Sequence, residues 1–404
     1  MTYLRYWRAM IICAFTGGIG YYFWLLFLIV SVALGFHFYI TQLDQGLIVT
    51  NLSDHVSWGA YIANFTFLVG VAAAAVLLVT PTYVFNYKDT KQVVLIGELM
   101  AVSAIVMCLL FIIVDLGRPD RFLHILPYFG RLNFPTSILA WDVVVLNGYL
   151  LLNLHIPGYL LYKRYLGEEP TLRYYLPLVF ISIFWAISIH TVTAFLYTGL
   201  GGRPFWNTAI LAPRFLVSAF AAGPALLSIV FLIIDRLTDL EVPPSVFQLL
   251  KRLFKIFLPI NSFLLGCELF KEFYTNSVHV ASAQYLFFGL DGAHMLVPYI
   301  WGSIAMTVTA MIIIFTPALA KIEELYILAC LFAFVGIWVE KGMGLIVPGF
   351  IPSPSGAIVE YTPSLAETMI SYGIWAFGAL TFTLFAKVAI AILTGKLRAQ
   401  RTGG

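Results

Sequence analysis

About ten runs of some twenty apolar residues each follow one another along this chain, near residues 19–40, 58–80, 93–116, 136–160, 174–197, 209–234, 254–275, 295–316, 325–348 and 369–394. A helix rises 1.5 Å per residue, so about twenty residues cover the roughly 30 Å hydrocarbon core of a bilayer. Inside lipid every backbone N–H and C=O needs an internal partner, which restricts spanning structures to helices and closed barrels. Continuous apolar runs, rather than alternating ones, select the helix. Composition agrees: 61% of the 404 residues are hydrophobic and 11% charged, against about 25% charged in a soluble domain. The expected fold class is an all-α polytopic membrane protein with about ten transmembrane helices.

An even number of spans leaves both termini on one side. Of the 23 Lys and Arg, only Arg118, Arg121, Arg131, Arg203, Arg214, Lys271 and Lys341 fall in or toward the other side. The positive-inside rule then predicts both termini cytoplasmic. Arg5 and Arg8 precede an apolar run that continues to Ile40; it is too long for a signal peptide and has no small-residue cleavage site, so it reads as an uncleaved first span. The longer polar excursions, 41–57, 117–135, 276–294 and 349–368, all fall on the outer side and carry Pro, Gly and charges, as ordered loops do. Spans two to five (residues 58–200) and six to nine (201–350) are expected to form two four-helix bundles. Residues 1–57 and 351–404 would add peripheral first and last helices. The third and seventh spans both end near acids (Asp115; Glu268 and Glu272), and the fifth and ninth both carry an ionisable group (His190; Glu340), as parallel repeats would.

Asp142, His190, Arg214, Glu268 and Glu340 interrupt or border these spans. A charge at the centre of a membrane helix costs roughly 2.5–3.5 kcal/mol on insertion scales, so such groups face protein or water and commonly serve function. Counted at 1.5 Å per residue, Asp142 and His190 lie about 9–10 Å below the outer surface, with Arg214 and Glu268 at similar depth. Two readings compete. The set can be interhelical ion pairs that fix register, such as Asp142 with Arg214, or a buried site for a protonatable or redox-active ligand. An imidazole that titrates near neutrality suits proton transfer and has no need to be there as a register pair. Glu98 is the main acid near the cytoplasmic side; with Glu268 and Glu340 it could mark the ends of a proton path.

Several cofactor classes are disfavoured. Cys13, Cys108, Cys267 and Cys330 are scattered with no C-x-x-C pair, which argues against an iron–sulfur cluster or structural zinc held by this chain alone. No metal site is expected. Haem held between two histidines needs a matched pair on facing helices, and His37, His55, His124, His155, His279 and His294 read as helix ends or loops, leaving only His190 inside. A net charge of +3 without a basic run gives no reason to expect nucleic acid.

Three local motifs stand out. In Asp115-Leu-Gly-Arg-Pro-Asp-Arg-Phe, Gly117 and Pro119 form a helix stop, while Arg118 and Arg121 place positive charge outside. Arg203 and Lys341 would extend that electropositive rim, which suits an acidic partner. In Trp58-Gly-Ala-Tyr-Ile-Ala-Asn-Phe, the aromatics Trp58, Tyr61 and Phe65 share one helical face and Asn64 adds an amide that needs partners. The third is Ile189–Phe215, IHTVTAFLYTGLGGRPFWNTAILAPRF. With Trp141-Asp142, Trp338–Lys341 and the 353–364 loop, these stretches resemble the NrfD/PsrC family of quinone-interacting membrane subunits, in particular its ten-helix, DsrP-like (HmeB) branch from sulfur-metabolism complexes. One departure is the run Val71-Ala72-Ala73-Ala74-Ala75, where some relatives carry a histidine.

The resemblance implies a prokaryotic cytoplasmic (plasma) membrane and a non-covalent menaquinone or menaquinol pocket near the outer face. It also implies an extracytoplasmic ferredoxin-like iron–sulfur subunit docked above, with further cytochrome and membrane subunits and no haem or cluster on this chain. By family position Asn64, Asp142, His190 and Arg214 are pocket candidates. Tyr61 and Glu268 join them by helical face and depth, and Arg118, Arg121 and Arg203 would meet the partner. The expected function is electron and proton exchange between quinone and partner, with His190 and Asp142 as proton acceptors. The rival expectations are an ion translocator and a structural anchor without its own quinone.

Overall fold

The computed structural model describes residues 2–126, 128–276 and 280–399; among them it is all-helical, with no strand. Ten helices are long and apolar enough to cross a membrane: Ile19–Gln45, Ala60–Val84, Val94–Asp115, Ile138–Leu166, Leu172–Thr198, Leu211–Leu237, Pro244–Thr275, Val297–Phe315, Glu323–Phe350 and Leu365–Leu393. They are the first to tenth spans below. His279 and Arg401 lie outside the described residues.

The second to fifth spans form a closed ring of neighbours, second on third, third on fourth, fourth on fifth and fifth on second. The sixth to ninth close a second ring in the same order. The rings meet where the second span packs on the sixth and ninth, and the fifth on the sixth. The second span is therefore the axis of the molecule and is almost wholly buried. That position explains its small residues, since the tract Ala72–Ala75 lets the sixth span approach so closely that a Cβ on Gly223 would meet the Ala74 Cβ at 2.3 Å. The first and tenth spans pair with each other, and the tenth also lies on the third. They cross backbone to backbone at Gly35 and Gly373, where a Cβ on Gly35 would fall 2.6 Å from the Gly373 Cα; small residues allow such contact in lipid.

One face gathers the chain's C-terminal part: Lys396 pairs with Asp239, Ala399 bonds Tyr165, and Lys251 reaches the Ala320 carbonyl. The opposite face is knitted by loop contacts. Glu367 accepts from Asn51 N and Ser364 N and from the Tyr361 hydroxyl, within a capping box that starts the tenth span. Burial, then the nearby Glu367 carboxylate, push the Tyr361 phenol up, so it stays a donor. Trp206 Nε1 donates to Leu345 O at 2.8 Å, and Ser282 to Ile351 O at 2.6 Å.

Two spans differ from the sequence expectation. The seventh starts at Pro244, ten residues earlier than its apolar run, so Lys251, Arg252 and Lys255 belong to the helix. Long basic side chains near a span's end can lie along apolar surface while their heads reach water. The ninth is broken: its α-helix stops at Lys341, Gly342 leaves helical geometry (φ −84°, ψ −108°), and the short helix Met343–Ile346 continues inside the protein. Two histidines also differ. His37 and His155 sit within the first and fourth spans rather than at their ends, and both are exposed on the outer surface of the helix bundle. Hydropathy fixes depth but not direction around the helix axis. His190 is buried.

Candidate functional site

Arg214 lies one turn inside the sixth span and faces the seventh and ninth. Its guanidinium pairs with Glu268 and with Glu340, the latter at 2.9 Å from Nη2 to Oε1. Asn261 of the seventh span donates from Nδ2 to the other Glu340 oxygen at 3.2 Å. Lys341 stands beside them with Nζ 3.7 Å from Glu340 Oε1 and 5.4 Å from the centre of the Phe215 ring. Adjacent helix positions point about 100° apart. Glu340 and Lys341 are nevertheless both buried, because the ninth span packs against the sixth on one side and the second on the other. The cluster holds two cations and two carboxylates, so its charge balances internally. Arg214 thus pairs with Glu268 and Glu340 and not with Asp142. Lys341, expected on an outer rim, is instead 3% exposed.

Asp142 and His190 belong to the other ring. Asp142 Oδ1 accepts from Thr193 Oγ1 at 2.9 Å. His190 Nδ1 lies 3.3 Å from the Ala186 carbonyl, and no described residue bonds its Nε2. That nitrogen faces a void of about 10 Å³ lined by Thr66, Gly70, Phe215, Ser218 and Lys341. Such a space has room for about one water and none for a quinone ring.

Asn64 is the hub of a third region. Its Oδ1 accepts from both Trp338 Nε1 and Trp375 Nε1 at 3.0 Å, and its Nδ2 donates to Ala60 O at 2.8 Å. An amide nitrogen carries two hydrogens, so one remains beyond the helix bond. Asn64 lines the cavity of about 260 Å³ between the second, eighth and ninth spans, walled by Ala63, Ile300, Trp338, Val339 and Tyr361. Its mouth is at Met295, Tyr299, Thr362 and Pro363, all surface-exposed. Leu286, Ile300 and Gly344 also line the narrow cleft at Arg214, Glu268 and Glu340, so the apolar cavity abuts the charged cluster.

Other expected site residues lie elsewhere. Tyr61 turns away from this cavity and donates to Gln42 Oε1 at 2.7 Å, while Gln42 Nε2 donates to Val114 O. Glu98 is buried near the start of the third span, with no described partner for Oε2. Arg118 and Arg121 are exposed, and the Asp120 carboxylate bonded to Arg118 at 3.0 Å holds that guanidinium above its usual range. Arg203 is half-buried, stacked 4.7 Å from the Phe350 ring, and burial lowers its proton affinity. Beside Arg118 and Arg121, the segment 122–134 exposes Phe122, Tyr128, Phe129 and Phe134.

The sequence reading did not single out Asn261, Trp375 or Tyr361 as site residues, and it placed Lys341 on the outer rim rather than in the cluster. Lys341 had a visible signal, a cation directly following a membrane glutamate.

Residues 48–351 match the family described as Polysulphide reductase, NrfD. Among curated proteins, the chain is 25% identical to the Hdr-like menaquinol oxidoreductase integral membrane subunit of Archaeoglobus fulgidus, covering 91% of this chain and 93% of that one. It is 25% identical to a selenate reductase subunit of Mesobacillus selenatarsenatis, over 85% and 88% of the two chains. A putative dimethyl sulfoxide reductase membrane subunit of Halobacterium salinarum is 24% identical over 88% of each. With three quarters of its length inside the family match and ten membrane-type helices, this chain belongs to the NrfD family of multi-pass oxidoreductase membrane subunits.

Proposed function

We propose that this subunit binds a membrane quinol, of menaquinol type, in the Asn64–Trp338 cavity and passes its electrons to an iron–sulfur subunit. The observation that carries this reading is the junction of that cavity with the Arg214–Glu268–Glu340 cluster. The cavity volume of about 260 Å³ is near the lower end of small-molecule sites, roughly 300 Å³ upward, which are apolar with a few placed polar groups. A quinone ring matches those demands. Asn64 supplies an N–H for a ring oxygen, Trp338 and Tyr299 supply flat apolar walls, and the exposed mouth gives an isoprenoid tail a route to lipid.

Bound quinol supplies two electrons and two protons. Glu268 and Glu340, both paired with Arg214, stand nearest as proton acceptors. His190 and Asp142 lie behind them, too enclosed to touch the ring, and take protons onward. The name of the Archaeoglobus relative, a menaquinol oxidoreductase subunit, supports the quinol.

The partner, of ferredoxin-like iron–sulfur type, would dock on the face where the 116–135 loop presents Arg118 and Arg121 beside exposed Phe122 and Phe129. By the positive-inside rule this face is extracytoplasmic, both termini are cytoplasmic, and the membrane is the cytoplasmic one. Further cytochrome or membrane subunits would complete the complex, and the sulfur-metabolism branch remains the proposed setting. The two rings of spans are proposed to be parallel repeats. The test is binding of a quinone analogue to the intact complex. Asn64→Leu should weaken it with assembly preserved; equal binding by wild type and variant refutes this location.

A further inference from the structure

The void between His190 and Lys341 joins the two rings of spans, and neither the ion cluster nor the apolar cavity accounts for it. Both residues are buried, and among the described residues nothing hydrogen-bonds His190 Nε2 or Lys341 Nζ. The atoms belong to different rings, and their side chains line the same space of about 10 Å³. A buried donor or acceptor left unmade costs about 1–3 kcal/mol. Two of them on one void of water size call for a shared occupant, and a buried water needs 2–4 polar partners.

The bonding sense of each group can be assigned. A carbonyl only accepts, so the Ala186 contact places the proton of neutral His190 on Nδ1 and leaves Nε2 a bare acceptor. Lys341 as an ammonium only donates. A donor and an acceptor facing one void are bridged by a molecule that accepts from one and donates to the other. Ser218 and Thr66 also line the void; the Ser218 hydroxyl already donates to Phe215 O, so it can accept, whereas Thr66 donates to Ile62 O and is further bonded to the Tyr197 hydroxyl.

We infer that a single ordered water bridges Lys341 Nζ and His190 Nε2, and that Lys341 relays protons through it between the Glu340 cluster and His190. The water gains one proton from Lys341 and gives one to His190, so it is unchanged after transfer. Lys341 is re-protonated from Glu340 after that carboxylate has taken up a quinol proton, its Nζ swinging from 3.7 Å to hydrogen-bond distance of Oε1. The relay rests on the proposed quinol reading for its proton supply, whereas the water does not.

Gly70 provides a test that leaves the charges intact. A Cβ there would lie 3.8 Å from His190 Nε2 and 3.5 Å from Ala219 Cβ, in ordinary contact, while filling part of the void. Gly70→Ala should therefore fold. A water-resolving map of the intact complex should show density between Lys341 and His190 in wild type and none in Gly70→Ala. In quinol turnover, Gly70→Ala and Lys341→Met should each lose roughly tenfold or more, the scale of a lost proton-transfer group. The double variant should lose no more than the worse single one. Quinone-analogue binding should be unchanged in Gly70→Ala. A dry wild-type void, full turnover in Gly70→Ala, or losses that multiply in the double variant would overturn the relay. Absence of analogue binding in wild type would instead refute the quinol reading, and the map would still judge the water.

Discussion

Two polar regions lie at similar depth in adjacent rings of helices, and they are built on opposite terms. The Arg214–Glu268–Glu340–Lys341 region matches full charges against each other, with Asn261 holding the remaining Glu340 oxygen. The Asp142–His190 region has neutral partners only, a threonine hydroxyl and a backbone carbonyl. A charge locked to a countercharge is costly to move, whereas a carboxyl or imidazole on a neutral partner gains or loses a proton with little rearrangement. On the proposed reading the first region holds its spans together and takes protons first, directly beside the cavity, and the second receives them onward.

The sharpest way to break this contrast is to uncouple the charges. Glu340→Ala leaves Arg214 and Lys341 sharing one carboxylate; removing one member of a buried pair costs about 3–5 kcal/mol. Complex yield and thermal unfolding in detergent should both drop severely. A variant that melts like wild type would show the cluster is not a structural lock. Asp142→Asn is the counterpart: melting should be nearly unchanged while quinol turnover falls about 10²–10⁴-fold, the range of a lost general acid–base group. Equal turnover would remove Asp142 from the proton route. An intermediate effect is expected for Asn64→Ala, which strips the acceptor from two indoles. Stability should fall by about 1–3 kcal/mol, and titration should show weaker binding of a quinone analogue. The smallest effect belongs to the exposed pair of Arg236 with Glu323, where Arg236→Ala should shift stability by no more than about 1 kcal/mol. A larger shift in the melting curve would mean that surface pairs matter here as much as buried ones.

The spans were legible because their length is set by the bilayer, a constraint that acts on every turn of helix. Depth was legible for the same reason, and it places Arg214, Glu268 and Asp142 in one layer. Partner choice was not, since depth says nothing about direction around a helix. Arg214 therefore seemed as free to meet Asp142 as Glu340, and His37 and His155 could not be seen to face outward. Lys341 was misread for a different reason. It lies seven residues before the outer end of the apolar run 325–348 and counts with the outer cations, but the chain turns at Gly342 into the buried helix Met343–Ile346 and encloses it. Tyr361 lies 301 residues from Ala60 in sequence, yet its hydroxyl accepts from Ala60 N at 2.8 Å; only the folded loop brings it to the cavity wall.

The proposed order of the two regions, charged cluster first and Asp142 and His190 behind it, stands or falls with where the quinone ring lies. A map of the intact complex with a bound quinone analogue measures this directly. The ring is expected between Asn64, Trp338 and Tyr361, with one oxygen toward Asn64 Nδ2 and its edge toward the Arg214 cluster. A ring found against Asp142 or His190, with the Asn64 cavity filled by lipid alone, would contradict it.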